Sequence, residues 1–223
     1  MDGSGEFFTE FIAALPGAVA PIVVSYPPDR AMNYAELEKL ARASLPDERP
    51  FVLLAESFSG PVAVAIAASK PAGLRGLVLV CSFVNSPLPV PRALQSVTSR
   101  FPIERVPVWI AAALLLGRYA SRTLRGRLAA AIARVTPAVW RARLRAVLGV
   151  DVAAQLRNVE VPVLYLRAIN DRIVSGRTSR VIGKLLPNAR VVALKGPHFI
   201  LQAKPVESAA CVEAFVRDVS VSF

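Results

Sequence analysis

The chain has 223 residues, of which 54% are apolar and 19% charged, and its formal net charge is +11. This length suits one domain, with or without a subdomain, and excludes two large domains. The apolar fraction excludes a globally disordered protein, and the longest apolar run, residues 106–117, is well short of the ~20 residues that span a bilayer.

Strand and helix signals alternate along most of the chain. Apolar runs predict strands at residues 21–26, 51–55, 74–83, 161–167 and 189–194. Helical patterns lie between and after them, at residues 34–44, 60–69, 178–186 and 205–219. We expect Asn33 to cap the first of these helices. Strands that alternate with helices predict an α/β fold, with a mostly parallel sheet flanked by helices.

Residues 88–150 interrupt this alternation and carry most of the positive charge. They contain 11 Arg, no Lys and one Glu, whereas the rest of the chain carries 16 basic and 15 acidic groups. Apolar residues recur at helical spacing through the block, and Thr136 followed by Pro137 predicts the start of a helix. We therefore predict an α/β core of residues 1–87 and 151–223 and a helical cap, or lid, of residues 88–150.

A serine lies where a buried strand turns directly into a helix. Residues 51–61 read FVLLAESFSGP, so that Ala55 and Ser59, both small, stand two positions before and after Ser57. This is the layout of a nucleophile elbow, and the N-terminus of the following helix favours negative charge beside the serine. Ser59 is the weaker candidate, because Pro61 would stand at its second small position.

The two groups that activate a serine nucleophile follow in chain order. His198, the only histidine, comes after the strand at 189–194, and Asp171 comes after the strand at 161–167. Because parallel strands end at one edge of a sheet, the hydroxyl, the imidazole and the carboxylate are expected to converge there. Each residue also has a simpler explanation, since Ser57 and Asp171 would serve as helix caps and a lone histidine is often structural.

The elbow, the DRIV stretch at 171–174, the GPHF loop at 196–199 and the helical insertion together resemble the α/β-hydrolase family over essentially the whole chain. The resemblance implies a cap formed by residues 88–150 and an oxyanion hole that includes the backbone N–H of Phe58. It also implies a catalytic triad of Ser57, His198 and Asp171.

The N-terminus departs from the pattern of that family. The loop with the second oxyanion donor normally follows a buried strand, whereas here Met1 stands at the donor position and that strand is missing. We expect either that the start is truncated or mis-assigned, or that the strands at 21–26 and 51–55 pair directly. Loss of one oxyanion donor lowers turnover by about 10²–10³-fold, so we expect a weakened enzyme.

The resemblance implies a serine ester hydrolase of carboxylesterase or lipase type, acting on a small ester or acyl substrate through an acyl-enzyme. Apolar residues of the cap predict a hydrophobic substrate pocket at Trp109, Leu115 and Trp140. One alternative uses the arginines to recruit coenzyme A, an acidic carrier protein or an anionic membrane, which would make the chain a thioesterase or a lipid esterase. Another is a non-catalytic binding protein on a hydrolase scaffold.

Other features of the sequence exclude further classes of protein. We predict no metal, no cofactor and no nucleic-acid partner, because the chain has no metal-ligand cluster, phosphate-binding loop, dinucleotide motif or nucleic-acid-binding motif. Cys81 and Cys211 lack CxxC spacing, which excludes a disulfide scaffold and favours a reducing compartment. Acidic residues among the first ten argue against a secretory leader, so we predict a cytoplasmic protein.

Overall fold

A sheet of four parallel strands organises the part of the chain that the computed structural model describes, residues 3–47, 49–88, 90–91 and 105–221. The strand order follows the chain, so each strand lies beside the next and all four end at the same edge. The strands are β1 (Phe51–Glu56), β2 (Leu74–Val80), β3 (Val163–Ala168) and β4 (Arg190–Leu194).

Helices cover both faces of the sheet and fill the connection between β2 and β3. In chain order they are α1 (Thr9–Ala13), α2 (Tyr34–Arg42), α3 (Gly60–Ala68), α4 (Val108–Leu115), α5 (Arg122–Arg134), α6 (Pro137–Gly149), α7 (Ala153–Arg157), α8 (Gly176–Leu185), α9 (Ile200–Ala203) and α10 (Pro205–Val221). The α/β fold predicted from the alternation of strand and helix signals is confirmed.

The two faces of β2 show where the core lies. Leu77 and Leu79 are buried in a cluster with residues of α2, α3, α7 and α8. Val78 and Val80 are buried on the opposite face, in a cluster with residues of α1, α9 and α10. Successive side chains of a strand point to opposite faces, so a run that is apolar throughout requires cover on both sides.

The predicted strand at 21–26 is wrong, because this segment is an irregular loop. Ile22 is 60% and Val23 42% exposed, and the backbone N–H of Tyr26 donates to the carbonyl of Gly3 at 2.7 Å. The expected direct pairing with the next strand is also wrong, since β1 pairs with β2 alone among the described strands. A β-branched run forms a strand only where a neighbour completes its hydrogen-bond ladder.

Other predicted boundaries are close to those observed. Asn33 caps α2 as predicted, and its side-chain oxygen accepts from the backbone N–H of Glu36. The Glu36 carboxylate in turn accepts from the backbone N–H of Asn33, which completes a capping box. The strand predicted at 74–83 ends at Val80, because Cys81 has a φ of +44° and turns the chain away from the sheet.

The longest described part of the predicted cap, residues 105–150, is here called the helical segment. It contains α4, α5 and α6. In the core, just outside the predicted cap, the side-chain amide of Asn85 donates to Asp151 at 2.7 Å. Pro137 begins α6 as predicted, although the hydroxyl of Thr136 makes no capping bond. In the part of the chain that is described, no helix has the length and apolar character needed to cross a bilayer.

Candidate active site

Ser57 occupies a strained turn between β1 and α3. Its φ is +50°, in the left-handed region that side chains other than glycine rarely adopt, and it begins a short 3₁₀ turn, Ser57–Ser59. The hydroxyl of Ser82 donates to the Ser57 carbonyl at 2.8 Å. A Cβ at Gly60 would lie 1.6 Å from that same Ser82 oxygen, so the close approach requires glycine.

The imidazole of His198 lies between the serine and the aspartate. Its Nε2 is 2.8 Å from Ser57 Oγ, and its Nδ1 is 2.8 Å from Asp171 Oδ2. The histidine is 1% exposed, and the Asp171 side chain is 4% exposed. The structure thus brings together the three side chains that the strand-end argument predicts to converge, although they are up to 141 positions apart in the chain.

Backbone donors orient the Asp171 carboxylate. Its Oδ1 accepts from the N–H groups of Ile173 at 2.7 Å and Val174 at 2.8 Å, which leaves Oδ2 directed at the histidine. The N–H of Asn170 also donates to the carbonyl of Gly196 at 3.0 Å. The aspartate loop and the histidine loop are therefore joined through the backbone as well as through their side chains.

A buried thiol lies beneath the aspartate and the histidine. The sulfur of Cys81, one carboxylate oxygen of Asp171 and one ring nitrogen of His198 all lie within 4.8 Å of one another. Burial raises the pKa of the Cys81 thiol well above its usual value, and the nearby charges of Asp171 and Glu56 raise it further. A neutral thiol and an imidazole hydrogen-bonded through both nitrogens form a poor donor set for a metal ion.

A second contact links the elbow to the histidine loop. The Gln202 side-chain amide, on α9, donates to Glu56 Oε2 at 2.8 Å. Glu56 directly precedes Ser57, and α9 begins two residues after His198. Sequence reasoning did not identify Gln202, Ser82 or Cys81, because these residues act through long-range contacts that no local motif signals.

A small cavity of about 60 Å³ lies beside Ser57. Two of its residues, Gly3 and Gly5, have φ values of +74° and +76°, which let the N-terminal loop bend over the elbow. The walls are otherwise mainly aromatic. The lining residues are Gly3, Gly5, Phe7, Phe8, Val24, Tyr26, Glu56, Ser57, Phe58, Ser59, Phe199 and Gln202.

Phe58, the predicted oxyanion residue, is fixed directly behind the serine. Its ring stacks on Tyr34 at a centroid distance of 5.1 Å, and its carbonyl accepts from the Tyr34 hydroxyl at 3.2 Å. The residue is 3% exposed and lines the cavity. Met1, predicted as the second oxyanion donor, lies outside the described residues.

The predicted pocket residues lie elsewhere. Trp109 is 70% exposed, and Leu115 contacts the histidine loop through its carbonyl, which accepts from the N–H of Phe199 at 3.0 Å. Trp140 packs with Val135 and Val139. None of the three predicted residues lines the cavity beside Ser57, although Leu115 packs on a cluster that contains two of the lining residues, Phe7 and Phe199.

Comparisons with known proteins agree with this architecture. The sequence model described as "Alpha/beta hydrolase family" matches residues 3–210, and no curated protein gives a significant match. The fold is similar to that of a hydrolase from Oleispira antarctica, with a TM-score of 0.83 and 14% identity over 97% of this chain and 88% of that one.

Two further structures are similar to the chain. A bromoperoxidase from Bacillus anthracis has a TM-score of 0.78 and 14% identity, covering 96% of this chain and 88% of that chain. The enol-lactonase from Burkholderia xenovorans LB400 has a TM-score of 0.73 and 14% identity, covering 99% and 88%. At these identities the likeness concerns the fold alone.

Proposed function

Because this chain belongs to the alpha/beta hydrolase family, we propose that it is a serine hydrolase that cleaves carboxylic esters through an acyl-enzyme. The observation that supports this most is the position of His198, with one ring nitrogen 2.8 Å from Ser57 Oγ and the other 2.8 Å from Asp171. A serine hydroxyl becomes an effective nucleophile only when a base of this kind accepts its proton.

In the proposed reaction, His198 accepts the proton of Ser57 while Oγ attacks the ester carbonyl carbon. The carbon–oxygen bond to the alcohol then breaks, and the imidazolium gives its proton to the departing alkoxide. Water attacks the acyl-enzyme, passes a proton to His198 and releases the acid, and Ser57 recovers its proton. Asp171 stabilises the imidazolium during both acylation and deacylation. Backbone donors hold its Oδ1, which keeps Oδ2 directed at the histidine.

We propose that the backbone N–H of Phe58 stabilises the negatively charged oxygen of the tetrahedral intermediate, as the family resemblance implies. The residue adjoins the nucleophile, and its aromatic contacts with Tyr34 and Tyr26 keep it in place. Helix α3 begins at Gly60, so the partial positive charge at its N-terminus also favours the negative charge of the intermediate.

The cavity favours a short, neutral acyl group. A volume of about 60 Å³ is well below the roughly 300–1,000 Å³ of pockets that enclose a drug-sized ligand, so a long acyl chain requires the loop over Ser57 to move. The Glu56 carboxylate also lines this space and disfavours an anionic acyl group there. We therefore propose acetyl to butyryl esters as the preferred class among soluble substrates.

The experiment that tests this proposal is hydrolysis of p-nitrophenyl acetate, butyrate and octanoate by the wild-type chain and by Ser57→Ala. We expect kcat/KM to fall by at least about 10⁴-fold in the variant. Ser69→Ala is the matched control, because Ser69 is an exposed serine at the opposite end of α3. Hydrolysis that survives in Ser57→Ala contradicts the proposal, and an inactive wild-type chain favours the non-catalytic alternative.

A thioesterase is the second candidate, and the charge of the helical segment favours it. Residues 105–150 contain nine Arg and no acidic residue, which suits a substrate carried by coenzyme A or an acidic carrier protein. If this candidate is correct, hydrolysis of an acyl-CoA falls steeply with salt while hydrolysis of a neutral ester does not. The cytoplasmic location is a prediction from the cysteine content and from the acidic residues among the first ten.

A further inference from the structure

Helix α4 exposes an apolar face. All eight of its residues are apolar, and a helix turns by about 100° per residue, which places Trp109, Ile110, Ala113 and Leu114 on one continuous arc. Trp109 is 70% exposed and Leu114 41% exposed. A contiguous apolar face in contact with water is typical of a surface that binds a partner or a membrane.

The opposite face of α4 accounts for the packing of this helix on the protein. Ala112 and the adjoining Leu116 are buried in a cluster with Phe7, Leu128 and Phe199. The outer arc is therefore not the face by which α4 packs on the core. Its exposure leaves a large tryptophan and a leucine outside the described core.

Exposed arginines flank α4 in the sequence. Arg105 precedes α4 by three residues, and Arg118 follows it by three. At the C-terminal end of α4, the guanidinium of Arg172 donates to the carbonyl of Ala113 at 2.9 Å. Two more exposed arginines, Arg122 and Arg125, begin α5, which packs against α4.

The helical segment itself contains no carboxylate that would neutralise these arginines. Glu10 of the core pairs with Arg127, and Glu6 pairs with Arg134; neither of these arginines adjoins α4 in the chain. The surroundings of α4 are therefore strongly positive, and the partner must be negatively charged as well as able to accept apolar side chains.

We propose that the outer face of α4 and its flanking arginines form a docking surface for an anionic phospholipid membrane. A helix of eight residues is about 12 Å long, too short to span a bilayer, so it would lie in the plane of the interface. Tryptophan is enriched at that depth, and arginines at both ends reach lipid phosphates while their stems stay apolar. An acidic protein with an apolar centre would meet the same face, so an acyl carrier protein is tested beside the vesicles.

The docking surface lies directly against the candidate active site. The N–H of Phe199, next to His198, donates to the Leu115 carbonyl, and Arg172, next to Asp171, donates to Ala113. Membrane contact through α4 would therefore bring the histidine and aspartate loops close to the lipid surface. This consequence rests on the proposed function, whereas the docking itself does not.

Co-sedimentation of the full chain with lipid vesicles tests the docking. The vesicles contain phosphatidylcholine alone, or phosphatidylcholine with about a third phosphatidylglycerol, a lipid that gives the surface a negative potential. We expect the wild-type chain to bind the anionic vesicles. The affinity for these vesicles should fall at least tenfold in the double variant Trp109→Ser with Leu114→Ser. It should fall about fivefold in each of Arg122→Ser and Arg125→Ser. Circular dichroism checks that each variant is folded.

Matched controls lie on α10. Val206→Ser changes an apolar side chain that is 68% exposed, and Arg217→Ser changes an arginine whose side chain is 72% exposed, and neither should alter binding. In the wild-type chain, emission of Trp109 should shift to shorter wavelength with anionic vesicles, and Trp109→Phe should remove the shift, because Trp140 is buried already.

The inference is overturned if anionic vesicles do not bind the chain, or if binding is unchanged in the Trp109 and Leu114 double variant. It is also overturned if an acyl carrier protein binds this face and the vesicles do not. Ser57→Ala should bind vesicles as the wild type does. Vesicle binding by a chain without esterase activity would refute the proposed function and leave the docking surface intact.

Discussion

The sheet edge and the helical segment are built differently. At the sheet edge, the backbone approaches closely at Gly60, and the carboxylate of Asp171 and the carbonyl of Ser82 accept defined hydrogen bonds. In the helical segment, the clusters are small, and a Cβ at Gly126 would have nothing within 4 Å. Side chains at the sheet edge are thus held in defined positions by close contacts. We expect the helical segment, which is packed more loosely, to tolerate substitutions better.

Replacing Asp171 by asparagine should reduce activity about as much as the loss of Ser57. An asparagine oxygen still accepts a hydrogen bond, but the amide carries no negative charge to stabilise the imidazolium, so we expect kcat/KM for p-nitrophenyl acetate to fall by about 10⁴-fold. A change of similar size in the helical segment, Arg145→Gln, lies on the exposed side of α6 and should leave kcat/KM within about twofold. A loss of less than tenfold for Asp171→Asn would show that the imidazole does not depend on this carboxylate.

A pair of glycine substitutions compares packing in the two regions. Alanine at Gly60 would place its Cβ 2.7 Å from the Ser82 Cβ, so we expect a loss of about 1–3 kcal/mol in the free energy of unfolding. Gly126 has nothing within 4 Å of the same position and lies inside α5, so Gly126→Ala should gain about 0.5–1 kcal/mol. Urea denaturation measures both values, and equal effects would remove the contrast between the regions.

Two buried hydroxyls should differ in their effect on stability, and one of them should give the smallest effect. The Tyr165 hydroxyl donates to the Ser82 carbonyl at 2.8 Å, and Tyr165→Phe leaves that acceptor unsatisfied, at a cost of about 1–2 kcal/mol in unfolding free energy. Thr136→Val removes a buried hydroxyl that bonds to no described group and should change the free energy by less than about 0.5 kcal/mol. A loss above 1 kcal/mol for Thr136→Val would mean that this hydroxyl caps α6 in solution.

The sheet and the convergence of the three side chains were predictable because they depend on local signals. Apolar runs mark β1, β2 and β3 as buried strands, and residues placed just after parallel strands meet at one edge whatever lies between them. The positions of Ser57, Asp171 and His198 just after successive strands were therefore enough to predict that their side chains meet.

The remaining features depend on contacts that the sequence does not display. Residues 21–26 have the composition of a strand but pair with none of the described strands, so their β-branched side chains occur in a loop. Trp109 and Trp140 are apolar residues of the cap, yet the direction of a helix face decides whether such a side chain meets a cavity, a cluster or solvent. The same applies to Gln202, whose bond to Glu56 joins residues 146 positions apart.

The most direct test of the central claim is covalent labelling of the chain by a fluorophosphonate, followed by peptide mass spectrometry. A serine activated by His198 displaces fluoride and keeps the phosphonyl group. We expect one added group on the peptide that contains Ser57, and none in Ser57→Ala or His198→Ala. Labelling of another residue, or undiminished labelling of Ser57 without His198, would contradict the account.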